Sequence, residues 1–277
     1  MALIAVSAIS FSSEQLSSIL NDCFEDYLVP VSLPVTAFVQ RFGSEGLSLL
    51  DSCVWLDGET PAAIAIVARR GDEARLAAFA VRPAWRGKGT GRRLMIPLMA
   101  SLREQGVRRM WLEVIRENYA AVALYQSLGF VVHHGLCGFV SSRAEDAAAA
   151  LEESDLLPLL RRSAAEVNGR LPWLMDPLTF ATLPCRALTL NQQAFAVLAT
   201  LTSTPQLQFL WVDPSVRGRG LAHEMLRALA RQFPGLSTSV IIPESFTPLF
   251  SAAGYATLML KQYEMCVEFS RLPSAEC

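Results

Sequence analysis

At 277 residues and 52% hydrophobic content, the chain can bury sizeable cores and exceeds one average domain, which predicts two. Its formal net charge of −2 divides as 13 basic and 13 acidic residues up to Ser142, against 11 and 13 beyond. No basic face is implied, which argues against nucleic acid as a partner. The six cysteines (Cys23, Cys53, Cys137, Cys185, Cys266, Cys277) show neither CxxC nor Cys/His ligand spacing, which predicts reduced thiols, no metal and a cytoplasmic protein.

The apolar N-terminus lacks a positive leader region and reads as a strand, Leu3 to Val6, and no segment is long enough to span a membrane, so no membrane partner is expected. Ser12-Ser13-Glu14-Gln15 resembles a capping box opening a helix to Tyr27, and Pro34 marks a second helix to Phe42. Extended stretches at about 47–56, 62–69 and 74–81, with turns at Asp57-Gly58 and Gly71-Asp72, predict an antiparallel meander. A helix carrying Leu94, Leu98 and Leu102 follows, in which Pro97 should introduce a kink. Next come a strand, Met110 to Val114, a helical face of Ala121, Leu124, Tyr125 and Leu128 closed by Gly129, and an extended stretch from Phe130 to Val140. Arg143 to Arg162, rich in Ala, Leu and Glu, reads as a helix, and Gly169 to Pro184 as loop and short helix.

One motif occurs twice, 131 residues apart: Arg86-Gly87-Lys88-Gly89-Thr90-Gly91 after the apolar run Leu76 to Val81, and Arg217-Gly218-Arg219-Gly220-Leu221-Ala222 after Leu207 to Val212. Pro83 and Pro214 precede the arginines by three residues, and a helical pattern follows each copy, so a whole domain has been duplicated. Glycines at alternate positions let amide N–H groups converge at a helix N-terminus, where the helix dipole favours an anion such as phosphate. The spacing is neither GxGxxG nor GxxxxGK[ST], so dinucleotide and nucleoside triphosphate folds fit poorly.

Val81 through Gly91, then Trp111-Leu112-Glu113-Val114, then Asn118 through Phe130 together resemble the GNAT superfamily of acyl-CoA-dependent N-acetyltransferases. The resemblance runs in element order over residues 1–142. It implies an α/β (α+β) protein of two tandem GNAT-like domains, each a mixed, mostly antiparallel sheet flanked by helices, with 1–142 catalytic and 143–277 degenerate. It implies acetyl-CoA as cosubstrate, an amine acceptor that is a small molecule or peptide, and a monomer or homodimer. By resemblance, Ala80 and Val81 contact pantetheine, Arg86, Gly87, Lys88, Gly89, Thr90, Gly91 and Arg92 hold the pyrophosphate, and Asn118 contacts the coenzyme arm. Tyr125 would protonate the departing thiolate and Glu113 accept the amine proton, a spacing similar to the ribosomal-protein alanine N-acetyltransferase subgroup.

Each role has a structural competitor. Tyr125 shares a face with Ala121 and Leu128, Glu113 could pair with a nearby arginine such as Arg116, and Asn118 is a good helix cap. His133 and His134 more simply satisfy local hydrogen bonds, while Asp22, Glu25 and Asp26 form either a lure for a cationic amine or a solvated helix face. In the second half, aligning Gly254 on Gly129 sets Phe250, Pro243 and Thr238 opposite Tyr125, Asn118 and Glu113, and the spacing from the motif arginine to that glycine falls from 43 to 37 residues. The retained loop, Arg217, Gly218, Arg219, Gly220, Leu221 and Ala222, is a candidate second coenzyme site without the chemistry. The expectation is an N-acetyltransferase acting by direct attack in the first half; the alternative is a non-catalytic acyl-CoA sensor or scaffold.

Overall fold

The computed structural model describes residues 3–142, 150–166, 171–200 and 204–269. They form two compact units, one of Met1–His133 with Tyr263–Cys277 and the other of His134–Gln262.

In the first unit β1 (Ile4–Ser7) leads to α1 (Ser13–Cys23), where the Ser12 hydroxyl accepts from the Gln15 amide at 3.2 Å and the Gln15 side chain accepts from the Ser12 amide at 2.8 Å. α1 stops short of the expected Tyr27: the Phe24 amide folds back onto Leu20 and Asn21, and Asp26 adopts φ 58°. Asn21 then accepts from the Leu33 amide at 2.9 Å, and the Ser17 hydroxyl donates to the Leu33 carbonyl at 2.6 Å, which fixes the approach to α2 (Val35–Glu45). The meander follows as β2 (Cys53–Asp57), β3 (Thr60–Arg70) and β4 (Glu73–Val81), turning at Gly58 and Gly71, both at φ 61°. The first of these strands begins six residues later than expected, because Ser48, Asp51 and Ser52 bond locally to one another and leave only Leu47 bridged to Ala68. α3 (Thr90–Glu104) continues through Pro97, β5 (Arg109–Ile115) pairs parallel with β4, and α4 (Tyr119–Ser127) precedes β6 (Val131–Ser141).

The second unit repeats this order in shortened form. β7 (Glu152–Ser154) and α5 (Leu156–Glu166) replace much of the helix expected from Arg143; residues 143–149 of that expectation lie outside the described residues. Two single turns, Trp173–Met175 and Pro177–Thr179, occupy the stretch read as loop and short helix. An antiparallel hairpin, β8 (Cys185–Leu190) and β9 (Ala194–Ala199), carries no clear sequence signal because nearly every residue of both strands is buried, which erases the alternation of a half-exposed strand. β10 (Gln206–Val212), α6 (Leu221–Gln232), β11 (Ser237–Thr238), β12 (Ile242–Pro243), α7 (Thr247–Ala252) and β13 (Tyr255–Glu268) complete the chain.

The division between units differs from a boundary at residue 142. The first unit ends at His133, within β6, and takes back the last part of β13 from Tyr263. The physical reason is packing. Met265 is fully buried in the first unit's core with Leu94, Met110, Leu112 and Tyr125, joined by Tyr263, Val267 and Phe269, and the Phe269 amide donates to the Arg108 carbonyl at 2.7 Å. The first unit's sheet therefore runs β1-β2-β3-β4-β5 and then the Tyr263–Glu268 part of β13, with α3 and α4 on one face and α1 and α2 on the other. The second unit's sheet includes the order β11-β10-β9-β8-β7. Both are mixed and mostly antiparallel, with β4–β5 and β10–β11 the parallel pairs. The fold class is the one the sequence implies.

Met265→Ala should thus destabilise the first unit although it lies 12 residues from the chain's last residue. Truncating a buried methionine costs about 2–5 kcal/mol. Urea unfolding followed through the first unit should show that loss, and a change under about 0.5 kcal/mol would contradict the assignment.

Candidate active site

The site is built on a parting of two strands. Register between β4 and β5 holds for Glu73–Arg109, Ala74–Met110 and Arg75–Trp111 and then ends, although β4 runs on to Val81 and β5 to Ile115. Leu76 pairs with Val67 and Ala78 with Ile66 on the other side, so Ala77 is an extra residue, a bulge that bends β4 where the ladder stops. From there to Val81, including Ala80, the β5-facing edge of β4 has no strand partner in the register and can pair with an extended ligand.

At the end of this edge lies the glycine turn. Gly87, Lys88 and Gly89 have φ of 79°, 50° and 71°, and Gly89 caps α3 without a side-chain bond; the Thr90 amide donates to the Gly87 carbonyl at 3.0 Å, which leaves the amides of Gly91 and Arg92 for a guest. A Cβ at Gly87 or Gly89 would meet open space, so both glycines are needed for their left-handed conformation. Gly91 differs: a Cβ there would lie 2.9 Å from Leu124 Cδ2, which makes it the point of contact between α3 and α4.

Three side chains expected on the pyrophosphate are engaged within the protein. Arg86 donates through Nε to the Val81 carbonyl (2.8 Å) and through Nη2 to those of Cys23 (3.2 Å) and Glu25 (2.7 Å), pinning the turn to the strand end and to the residues closing α1. Arg92 donates to the Ser127 carbonyl and to its hydroxyl at 2.9 Å, and Thr90 Oγ1 donates to the Gly87 carbonyl at 3.0 Å. Lys88, like Arg86 and Arg92, is exposed at the turn.

Glu113 has an arginine partner, but it is Arg75 and not Arg116, whose guanidinium lies 4.8 Å over the Tyr263 ring. Along β5, Met110, Leu112 and Val114 enter the core with α3 while Glu113 points to the opposite face, as strand alternation requires. There Arg75 donates to Glu113 (Nη2 2.7 Å and Nε 2.8 Å to Oε2, Nε 3.1 Å to Oε1) and through Nη1 to Glu45 Oε2 at 2.6 Å; Arg41 reaches Glu45 Oε1 at 3.1 Å. Burial alone would lower the pKa of Arg75, and the two carboxylates more than offset it, holding the guanidinium charged. Glu113 Oε1 keeps the most capacity to accept a further hydrogen bond.

Tyr125 is buried in the α3-side core, edge-on to Phe130 at 5.7 Å between centroids. Burial, reinforced by the nearby Tyr27, pushes its phenol well above the ordinary tyrosine range, so it stays protonated through neutral and mildly alkaline pH. Asn118 caps α4, its Oδ1 accepting from the Ala121 amide at 3.2 Å, while its Nδ2 donates to the Tyr27 hydroxyl at 3.4 Å. Tyr27 thus bonds to Asn118 and acts electrostatically on Tyr125. Tyr27 and Arg75 were missed in the sequence. Tyr27 gave no signal, but a lone Arg in the apolar run Ala74–Val81 signalled a buried pair. Asp22 is bound to Arg82 at 2.7 Å, and His133 sits edge-on to Trp111 at 5.2 Å with Nδ1 3.7 Å from Glu264, consistent with local roles for both.

In the second unit Phe250, opposite Tyr125, stacks flat on Phe139 at 4.1 Å and meets Tyr255 edge-on at 5.5 Å. The Tyr255 hydroxyl donates to the Leu226 carbonyl at 2.9 Å, and Thr238 Oγ1, opposite Glu113, accepts from the Phe139 amide at 2.9 Å.

Residues 14–130 match the model of the Acetyltransferase (GNAT) family. Over 89 residues, 32% of this chain, the sequence is 43% identical to the ribosomal protein bS18 alanine N-acetyltransferase of Salmonella typhimurium, of whose length the chain spans 60%. The fold is similar to a GCN5-related N-acetyltransferase from Sphaerobacter thermophilus (TM-score 0.66, 15% identity, 96% of this chain and 95% of that one). It is also similar to a tandem GNAT protein from the clavulanic acid biosynthesis pathway (TM-score 0.65, 12% identity, 96% and 98%). The N-terminal part of the chain carries a GNAT acetyltransferase domain, and the chain as a whole has the fold of tandem GNAT proteins.

Arg75→Met leaves two buried carboxylates facing each other and should cost about 3–5 kcal/mol, with Arg75→Lys intermediate; a loss below about 1 kcal/mol by urea unfolding would contradict the buried cluster. A tyrosine whose folded pKa is raised contributes stability that is complete below the unfolded value, about 10, and is lost as pH climbs from there toward the folded value. Tyr125→Phe should therefore reduce the fall in Tm above about pH 10, and an unchanged alkaline fall would mean that the phenol ionises freely.

Proposed function

We propose that the first unit transfers an acetyl group from acetyl-CoA to a primary amine by direct attack, with no covalent enzyme intermediate. The observation that carries this reading is Tyr125, a buried phenol held protonated by its burial and by Tyr27, in the same core as Phe79 and Val81 of the parted strand. The unpaired edge from Leu76 to Val81 would hold the pantetheine arm, and an amide at its end would polarise the thioester carbonyl. The amides of Gly91 and Arg92, with Lys88, would hold the pyrophosphate, while Arg86, Thr90, Gly91 and Arg92 keep that turn in shape through their contacts within the protein. Glu113, oriented by Arg75, would take the amine proton through Oε1, directly or through a water, and Tyr125 would return a proton to the departing thiolate. The peptide α-amine named for the relatives is the first acceptor to try, and the family's resemblance supports a cytoplasmic setting.

The test is thiol release over a panel of alanine-initiated peptides, polyamines and amino sugars. Tyr125→Phe keeps the packing and removes one hydroxyl, so turnover should fall about 100-fold or more with acetyl-CoA affinity nearly unchanged. A loss under about threefold would overturn the acid assignment. Glu113→Gln should lower turnover with acetyl-CoA affinity nearly unchanged; turnover at the parent rate would leave that carboxylate only its ion pair. Binding of acetyl-CoA with no release on any amine would favour a sensor or scaffold instead.

A further inference from the structure

Arg86 commits three of its five N–H donors to backbone carbonyls, and the bonds run in two directions. Nε reaches the Val81 carbonyl at the end of the parted strand, while Nη2 reaches those of Cys23 and Glu25, where α1 has just ended. We propose that Arg86 is a positioning residue for the amine acceptor, a role that rests on the acetyl-transfer reading of the first unit. It holds residues 23–27 against the glycine turn, so that this stretch forms one wall of the acceptor's path to Glu113.

The duplication separates the two directions. Arg217, at the matching position, keeps the Nε bond, to the Val212 carbonyl at 3.0 Å, and among the described residues it makes no counterpart of the Nη2 bonds. The shared bond therefore shapes the turn, which both units have. The added pair serves something that only the first unit has, and the second unit, with Phe250 and Thr238 opposite Tyr125 and Glu113, lacks the groups that would act on an acceptor.

The same stretch is held from the same side at two more points. Arg82, directly after Val81, donates to the Asp22 carboxylate at 2.7 Å, and Asn118 Nδ2 donates to the Tyr27 hydroxyl at 3.4 Å. A strand-end residue, a turn residue and a helix cap that all flank the proposed coenzyme arm thus reach out to six consecutive residues, Asp22 to Tyr27. Those residues have little regular structure of their own, since α1 ends at Cys23 and Asp26 is left-handed.

Glu113 shows what passes beside them. Its carboxylate lies on the face of the sheet that α1 and α2 cover, bridged through Arg75 to Glu45 of α2, whereas Tyr125 is in the core on the α3 face. An amine that gives its proton to Glu113 Oε1 and attacks a thioester on the β4 edge comes in from the α1 and α2 side, past the chain that joins them. A wall fixed beforehand spares the acceptor the cost of ordering it, so the fork acts on acceptor affinity.

Arg86→Lys keeps the charge and loses the fork, because one ammonium cannot span carbonyls on both sides. In the full chain the expected result is coenzyme A affinity within about twofold of the parent by calorimetry, which also shows that the site is folded. KM for the best amine of the thiol-release panel should rise at least about fivefold with kcat within about threefold, and amide exchange should quicken at residues 24–28. The inference is overturned if coenzyme A binding weakens at least about fivefold with the amine KM unmoved, since the guanidinium would then serve the pyrophosphate, or if neither the amine KM nor exchange at 24–28 changes. Failure of the underlying reading looks different: the parent protein itself would release no thiol with any amine, and unaltered exchange at 24–28 in Arg86→Lys would then remove the clamp as well.

Discussion

The separation of β4 from β5 after Arg75 and Trp111 is the constraint on which the first unit's site depends. Two parallel strands that stop pairing expose backbone amides and carbonyls, which is costly unless something satisfies them. The bulge at Ala77 bends β4 at that point, and Arg75, the last paired residue, turns its guanidinium to grip Glu113 on β5 and Glu45 on α2. The ion cluster thus ties both strands and a covering helix together at the fork. A buried arginine between two carboxylates adds little net stability over an apolar cluster of the same shape, but it fixes one geometry because no member can leave unpaired. Glu113 is placed by that cluster, and its free capacity is limited to what Arg75 leaves.

The duplication shows which features belong to ligand geometry and which to chemistry. Both copies keep the bulge nine residues before the arginine, the arginine bond to the strand-end carbonyl, and a left-handed glycine capping the next helix. Both also keep an edge-on aromatic pair five residues apart, Tyr125 with Phe130 and Phe250 with Tyr255. The hydroxyl has changed rings: in the first unit it is on the buried Tyr125, under the influence of Tyr27, and in the second it is on Tyr255 and spent on a helix carbonyl. The packing survives the exchange and the position of the hydroxyl does not.

Much of this was legible in the residues. The duplicated glycine motif, the meander and the order of elements follow from local patterns, because turn glycines, alternation and caps act over a few residues. The hairpin of β8 and β9 was not, since strands buried on both faces lose their period. Nor was the return of Tyr263 to Glu268 to the first unit, because a strand's sequence records its burial and not the sheet that buries it. Of the candidate site, the turn was readable from its glycine spacing, and Tyr125 was named by resemblance to the family. The side-chain roles of Arg86, Thr90 and Arg92 were not, because a cation beside a phosphate turn looks the same in sequence whether it faces the ligand or a carbonyl. The partner of Glu113 lies 38 residues away on a neighbouring strand, a distance that only the fold closes.

The claim that the parted edge of β4 receives an extended coenzyme arm is tested most directly by amide hydrogen exchange on the full chain with and without coenzyme A. Slowed exchange at Leu76 to Val81 and at Lys88 to Arg92, with no change at Glu73 to Arg75, is the result this account predicts. Protection confined to other segments, with Leu76 to Val81 unaltered at saturating coenzyme A, would contradict it.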